Sequence, residues 1–113
     1  MSHEEKLELV NFLIFLRGKL QGLAIRLLLL GEDPAEVDKA EVRLGKEIDK
    51  LRVSMMQGWQ GDAGQLMAEL RNLNERAQRR VRDLKDAQDR AAKIADIVGL
   101  IDRGLGAVGG LLT

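Results

Sequence analysis

Residues 62–103 read DAGQLMAELRNLNERAQRRVRDLKDAQDRAAKIADIVGLIDR. Ala63, Leu66, Leu70, Leu73, Ala77, Leu84, Ala87, Ala91, Ile94, Val98 and Ile101 keep a 3–4 alternation through this stretch, with Arg80 as its one break and Val81 beside it. That spacing places the apolar side chains on one helical seam and predicts coiled-coil-like packing. No glycine or proline interrupts residues 65–98. The expectation is therefore a single C-terminal helix of roughly 63 Å. Alanines at 77, 87 and 91 imply a closely approaching neighbour.

Upstream, the start and stop signals define two more helices. Ser2-His3-Glu4-Glu5 is a capping box that starts a helix near residue 3. Asp33-Pro34-Ala35-Glu36 has the same logic, with Asp33 at the N-cap and Pro34 where its missing N–H costs nothing. Gly31 suits a left-handed closing position. Asp62-Ala63-Gly64-Gln65 opens the long helix after Gly58-Trp59-Gln60-Gly61, whose glycines stop the preceding one. The predicted helices run over 3–30, 34–57 and 62–103, followed by a Gly-rich apolar tail over 104–113. The short connections favour an antiparallel three-helix bundle, all-α, completed by oligomerisation.

The composition fits that class. The chain has 113 residues, 45% of them apolar and 32% charged, with 18 basic and 18 acidic side chains and no cysteine. This is one domain's length of chain, and it is too apolar for intrinsic disorder. Lack of Cys excludes disulfides, thiolate metal sites and a cysteine nucleophile. Zero net charge removes any global attraction to nucleic acid or an anionic membrane.

The first helix is apolar almost all round, from Val10-Asn11-Phe12-Leu13-Ile14-Phe15-Leu16 to Leu27-Leu28-Leu29-Leu30. Two partner helices cannot easily cover so much surface. A 63 Å helix would also outlast its neighbour and project Ile94, Ile97, Val98 and Ile101. These four, with Leu13, Leu16, Leu20 and Leu27, are the interface candidates. Gly18 and Gly22 form a small-xxx-small pair and are the candidates for close helix packing. The partners implied are a second copy of the chain and another protein.

Nothing in the inventory assembles a catalytic or cofactor site. His3 is the only histidine; Ser2, Ser54 and Thr113 are the only hydroxyl side chains, and no base stands near them in sequence. Asp83, Asp86 and Asp89 recur every third residue without the Glu-x-x-His pairs that dimetal bundles use. Gly104, Gly106, Gly109 and Gly110 follow a helix instead of linking a strand to one, so they form no phosphate loop. The expectation is no enzyme, no metal and no cofactor.

The strongest charge bias is basic: Arg71, Arg76, Arg79, Arg80, Arg82, Lys85, Arg90 and Lys93 against Glu75, Asp83, Asp86 and Asp89. A basic helix can grip phosphates, but this segment holds no aromatic platform for single strands. Nucleic acid is therefore a secondary reading, behind a solvated coiled-coil exterior. A membrane surface, reached through Ile94 to Leu112, is another. Charges at Arg17, Lys19 and Arg26 break any signal or spanning segment, so a cytoplasmic location is expected.

Trp59-Gln60-Gly61, set between two amphipathic helices, resembles the Trp-x-Gly turn of the small secreted helical hairpins of the early-secreted-antigen type. That resemblance implies a dimeric protein exported by specialised bacterial machinery, and it stands as an alternative. The additional apolar helix before Gly31 and the lack of a tyrosine-bearing export signal depart from that pattern. The plain reading is that Trp59 closes one end of the bundle over the turn at Gly61, its indole N–H near water.

Overall fold

The structure is a computed structural model, and residues 1–112 are described. Four α-helices form, α1 (His3–Leu29), α2 (Ala35–Val53), α3 (Ala63–Asp83) and α4 (Arg90–Gly109), with 3-10 turns at Leu84–Asp86 and Gly110–Leu112. The all-α bundle expected from the sequence is what the chain adopts; its expected third helix is two helices.

The caps explain where the elements begin. Ser2 Oγ accepts from the Glu5 N–H at 3.2 Å, and Glu5 Oε1 accepts from the Ser2 N–H at 3.2 Å, completing the capping box. Gly31 takes φ +76° and Glu32 N–H donates to Leu27 O at 2.9 Å, a glycine-closed helix end. Asp33 Oδ1 accepts from Ala35 N–H at 3.0 Å, and Asp62 Oδ1 from Gln65 N–H at 2.8 Å.

The long seam breaks at Leu84–Asp89, and the chain turns back on itself. Ala87 is extended (φ −80°, ψ 137°), and Asp89 caps a new helix by accepting from Ala92 N–H at 3.3 Å. Turning back buries Ile97, Leu100, Ile101, Leu105, Val108 and Leu111 against the other helices. At roughly 1.5–3 kcal/mol per buried aliphatic side chain this is worth on the order of 10 kcal/mol. The break sacrifices only a few helical hydrogen bonds, each worth about 1 kcal/mol net. Residues 104–112 of the expected tail are therefore helical, α4 running to Gly109 and a 3-10 turn to Leu112; Thr113 lies outside the described residues. A Cβ on Gly104 would lie 3.3 Å from Leu70 Cδ2, so the glycine lets α4 approach α3 closely.

Successive helices are antiparallel. Lys6 reaches Met55 and Arg17 reaches Glu41 across α1 and α2; Arg80 reaches Asp96 across α3 and α4. The hairpin α1–α2 then lies on the hairpin α3–α4 so that α1 packs on α3, and α2 on α4. Those two contacts are parallel, as the contacts Phe12–Arg71 with Arg26–Gln78, and Arg43–Asp102 with Gln60–Leu111, require. The connection over 54–62 must cross the end of the bundle diagonally, which a simple ring of antiparallel neighbours would not need. Trp59 plugs that end. Its indole is buried and its Nε1–H donates to Ser54 O and Oγ, both at 3.1 Å, so it is not near water as the sequence suggested. Gly61 takes φ +88° in the same crossing.

Where all four helices meet, Leu16, Leu20, Leu44, Leu70, Ala77 and Ile101 line a cavity of about 50 Å³. The bundle measures 48 × 22 × 20 Å.

Candidate functional site

Most of the interface candidates lie in the chain's own core. Leu13, Leu16, Leu20, Leu27, Ile97 and Ile101 are buried, while Ile94 and Val98 are half-buried. The break at Leu84–Asp89 is the reason, since it supplies the fourth helix that the sequence assigned to a second chain. Gly18 and Gly22 have no close neighbour either: a Cβ at each would meet no atom within 4 Å.

What α1 leaves outside is ordered. It carries two opposed seams with 3–4 spacing. The inner one is all leucine, Leu9, Leu13, Leu16, Leu20, Leu23 and Leu27, and is buried throughout. The outer one is Leu7, Asn11, Ile14, Gly18, Gln21, Ile25 and Leu28, and every member is exposed. Ile25 is 59% and Leu28 63% accessible. A heptad seam on each of two opposite faces is the pattern of a helix packed on both sides. Arg17 and Gln21 on its α2 side both reach Glu41, at 2.5 and 3.1 Å. The Arg17 guanidinium, donating to the Glu41 carboxylate, holds that acid below its ordinary value; partial burial opposes the shift, and the Gln21 amide reinforces it.

The eight basic residues of 71–93 do not form one patch. Arg90 is structural: its guanidinium donates to Leu84 O at 3.0 Å, Lys85 O at 3.2 Å and Leu30 O at 3.3 Å, and it pairs with Glu32 at 3.5 Å. Arg76, Arg80 and Lys93 line a cleft between α3 and α4 beside Asp83, and Arg80 there pairs with Asp96 at 3.1 Å. Arg71 and Arg82 face the other way, and Arg79 borders both clefts. With Lys19 and Arg26 of α1 they line an open groove of roughly 530 Å³ between α1 and α3, shared with Phe15, Asn74, Glu75 and Gln78. Lys85 is exposed outside both.

The groove contains what the basic segment lacked in sequence. Phe12 and Phe15 stack with centroids 6.1 Å apart; Arg71 lies 5.4 Å from the Phe12 ring and Lys19 5.2 Å from that of Phe15. Phe15 is 53% exposed. Sequence reasoning missed this site because Phe12 and Phe15 stand far from Arg71 in the chain and on a different helix. The legible signal was the unbroken polar row Arg71, Glu75, Gln78, Arg82, which marks one edge of α3.

Among the described residues no helix is long and apolar enough to cross a membrane, and no group of three His, Asp or Glu side chains could hold a metal ion. Comparison with known protein families, curated proteins and solved structures returns no match.

Proposed function

We infer that this protein is a non-enzymatic helical interaction module that works as a homodimer, with the outer seam of α1 as its interface. The single observation carrying this reading is that seam, whose apolar members Leu7, Ile14, Ile25 and Leu28 lie outside the chain's own core, although Gln21 within it also bonds Glu41. Its order favours a second copy. Run antiparallel against itself, the seam sets Leu7 of one copy against Ile25 of the other, Asn11 against Gln21, and Ile14 against the open surface at Gly18. Apolar meets apolar, amide meets amide, and a branched side chain meets a glycine. Such self-complementarity is what a two-fold interface requires.

The charges of α1 agree with that direction. Glu4, Glu5 and Glu8 lie in its first half, and Arg17, Lys19 and Arg26 in its second, with no acid between residues 9 and 31. An antiparallel pair opposes unlike charges; a parallel one would stack like on like.

Light scattering at tens of micromolar, a concentration that populates ordinary specific contacts, is expected to give twice the 12.6 kDa chain mass. The double variant Ile14→Asp, Ile25→Asp should be monomeric with unchanged helicity, because neither side chain is in the core. A monomeric parent protein would sink the reading, and a dimer untouched by the double variant would move the interface elsewhere.

A further inference from the structure

We propose that the groove between α1 and α3 binds single-stranded nucleic acid, holding its phosphates with Lys19, Arg71, Arg79 and Arg82 and stacking a base on Phe15. This is separate from the self-association read from the outer seam: no seam residue lines the groove, although Lys19 and Arg26 also enter the charge argument for the seam's direction.

Four observations carry it. First, the cations converge from two helices although the whole chain is neutral. Lys19, Arg26, Arg71, Arg79 and Arg82 meet a single acid, Glu75, along the groove. Second, among the described residues none of these five forms an ion pair, not even with Glu75, which lines the same groove. Uncompensated positive charge along a concave surface raises the local potential and draws a polyanion.

Third, the charges are strung out instead of clustered. Arg71 to Arg82 spans about 16 Å of helix at 1.5 Å per residue, and because α1 runs parallel to α3, Phe15 to Arg26 covers the same length alongside it. A single small anion would need one focus; this is a track for an extended backbone. Fourth, an aromatic ring is half-exposed within the track. Nucleic-acid grooves for single strands combine a cationic track with aromatic faces on which bases stack, and every base has such a face. An acidic peptide would use the charges but not the ring. Lys19, over Phe15, is a flexible side chain that can swing from the ring to a phosphate when a base takes its place.

The test is fluorescence anisotropy with a labelled twelve-nucleotide oligothymidylate, using the full chain. Each phosphate held contributes about 0.7 to the slope of log affinity against log salt for a single strand. Four engaged cations therefore predict a slope near −3, or about 50-fold weaker binding on going from 50 to 200 mM salt. The double variant Arg79→Ala, Arg82→Ala should weaken binding at 50 mM salt and flatten the slope by about 1.4. Phe15→Ala should weaken binding at least five-fold, the loss expected for one stacked base, and leave the slope unchanged. That split separates stacking from charge. Lys39→Ala with Lys50→Ala, on α2, should change neither. Absence of salt-sensitive binding at 50 mM would overturn the proposal. Equal weakening by the α2 control pair would overturn the site, and equally tight binding of polyglutamate of the same length would overturn the assignment to nucleic acid.

Discussion

The ammonium of Lys6 donates to the backbone carbonyl of Met55 at 2.9 Å, joining the first turns of α1 to the connection that carries the chain diagonally from α2 to α3. The same nitrogen donates to Gln57 O and lies 5.4 Å from the centre of the Trp59 ring. Lys6 is only 7% exposed, a rare burial for a lysine, and the two carbonyls and the ring account for it. Lys6→Met keeps the aliphatic stem and removes the charge, leaving both carbonyls to find water at a plugged end. It should cost about 1.5–3 kcal/mol in denaturant unfolding, the range for hydrogen bonds to a charged group. Unchanged stability would mean that this end is open enough for water to replace the lysine.

Arg90 performs the matching task at the other end, where its fork gathers carbonyls from the α3 terminus and from Leu30 at the end of α1. A lysine has no planar fork to satisfy three separated carbonyls. Arg90→Lys and Arg90→Ala should therefore lose similar stability, about 1–2 kcal/mol. Full recovery by lysine would show that charge alone, and not the fork, holds the corner.

These two ends also show what the sequence could and could not convey. The caps at Ser2 and Asp62 were legible because they are local: a side chain bonds an amide three residues on. The break at Leu84–Asp89 was not, because it contains no glycine or proline and the local pattern continues through it. What decides it is burial of Ile97, Leu100 and Ile101 by helices remote in sequence. Asp89, the cap of α4, was in view only as one of three evenly spaced carboxylates. In α1 both seams could be traced, but which faces inward depends on where α2 and α3 lie. The groove was hidden for a related reason. Phe15 and Arg71 line one groove only because the crossing over 54–62 sets α1 parallel to α3.

Glu41 gives a pH signature with a definite sign. Arg17 depresses its pKa in the folded chain below the ordinary 4.5. The carboxylate thus contributes stability in full above that value, and the contribution is lost as pH falls through the lower, folded value. Glu41→Gln should cost roughly 0.5–1 kcal/mol at pH 7, in the range of a partly exposed pair. Below the folded pKa the difference between parent and variant should vanish. A difference that persisted at acid pH would point to lost packing in place of lost charge.

Two glycine-to-alanine changes should stabilise the chain for different reasons, and only one should alter association. Glycine within a helix costs roughly 0.5–1 kcal/mol relative to alanine. At Gly18 the new methyl meets nothing within 4 Å, so the full gain should appear in thermal unfolding of dilute protein. In the proposed dimer that methyl intrudes where Ile14 of the other copy sits, so the dimer dissociation constant should rise while the monomer becomes more stable. At Gly104 the methyl meets Leu70 Cδ2 at 3.3 Å, and Leu70 must shift by a few tenths of an ångström. Leu70 and Gly104 both line the central cavity of about 50 Å³, which gives that side chain somewhere to go. The gain at Gly104 should be smaller, about 0.5 kcal/mol, with dimerisation unaffected because α4 is remote from the outer seam. A loss of stability in Gly104→Ala would mean that Leu70 is held in place. A Gly18→Ala protein that is more stable yet dimerises as tightly as its parent would leave the glycine surface without the role assigned to it.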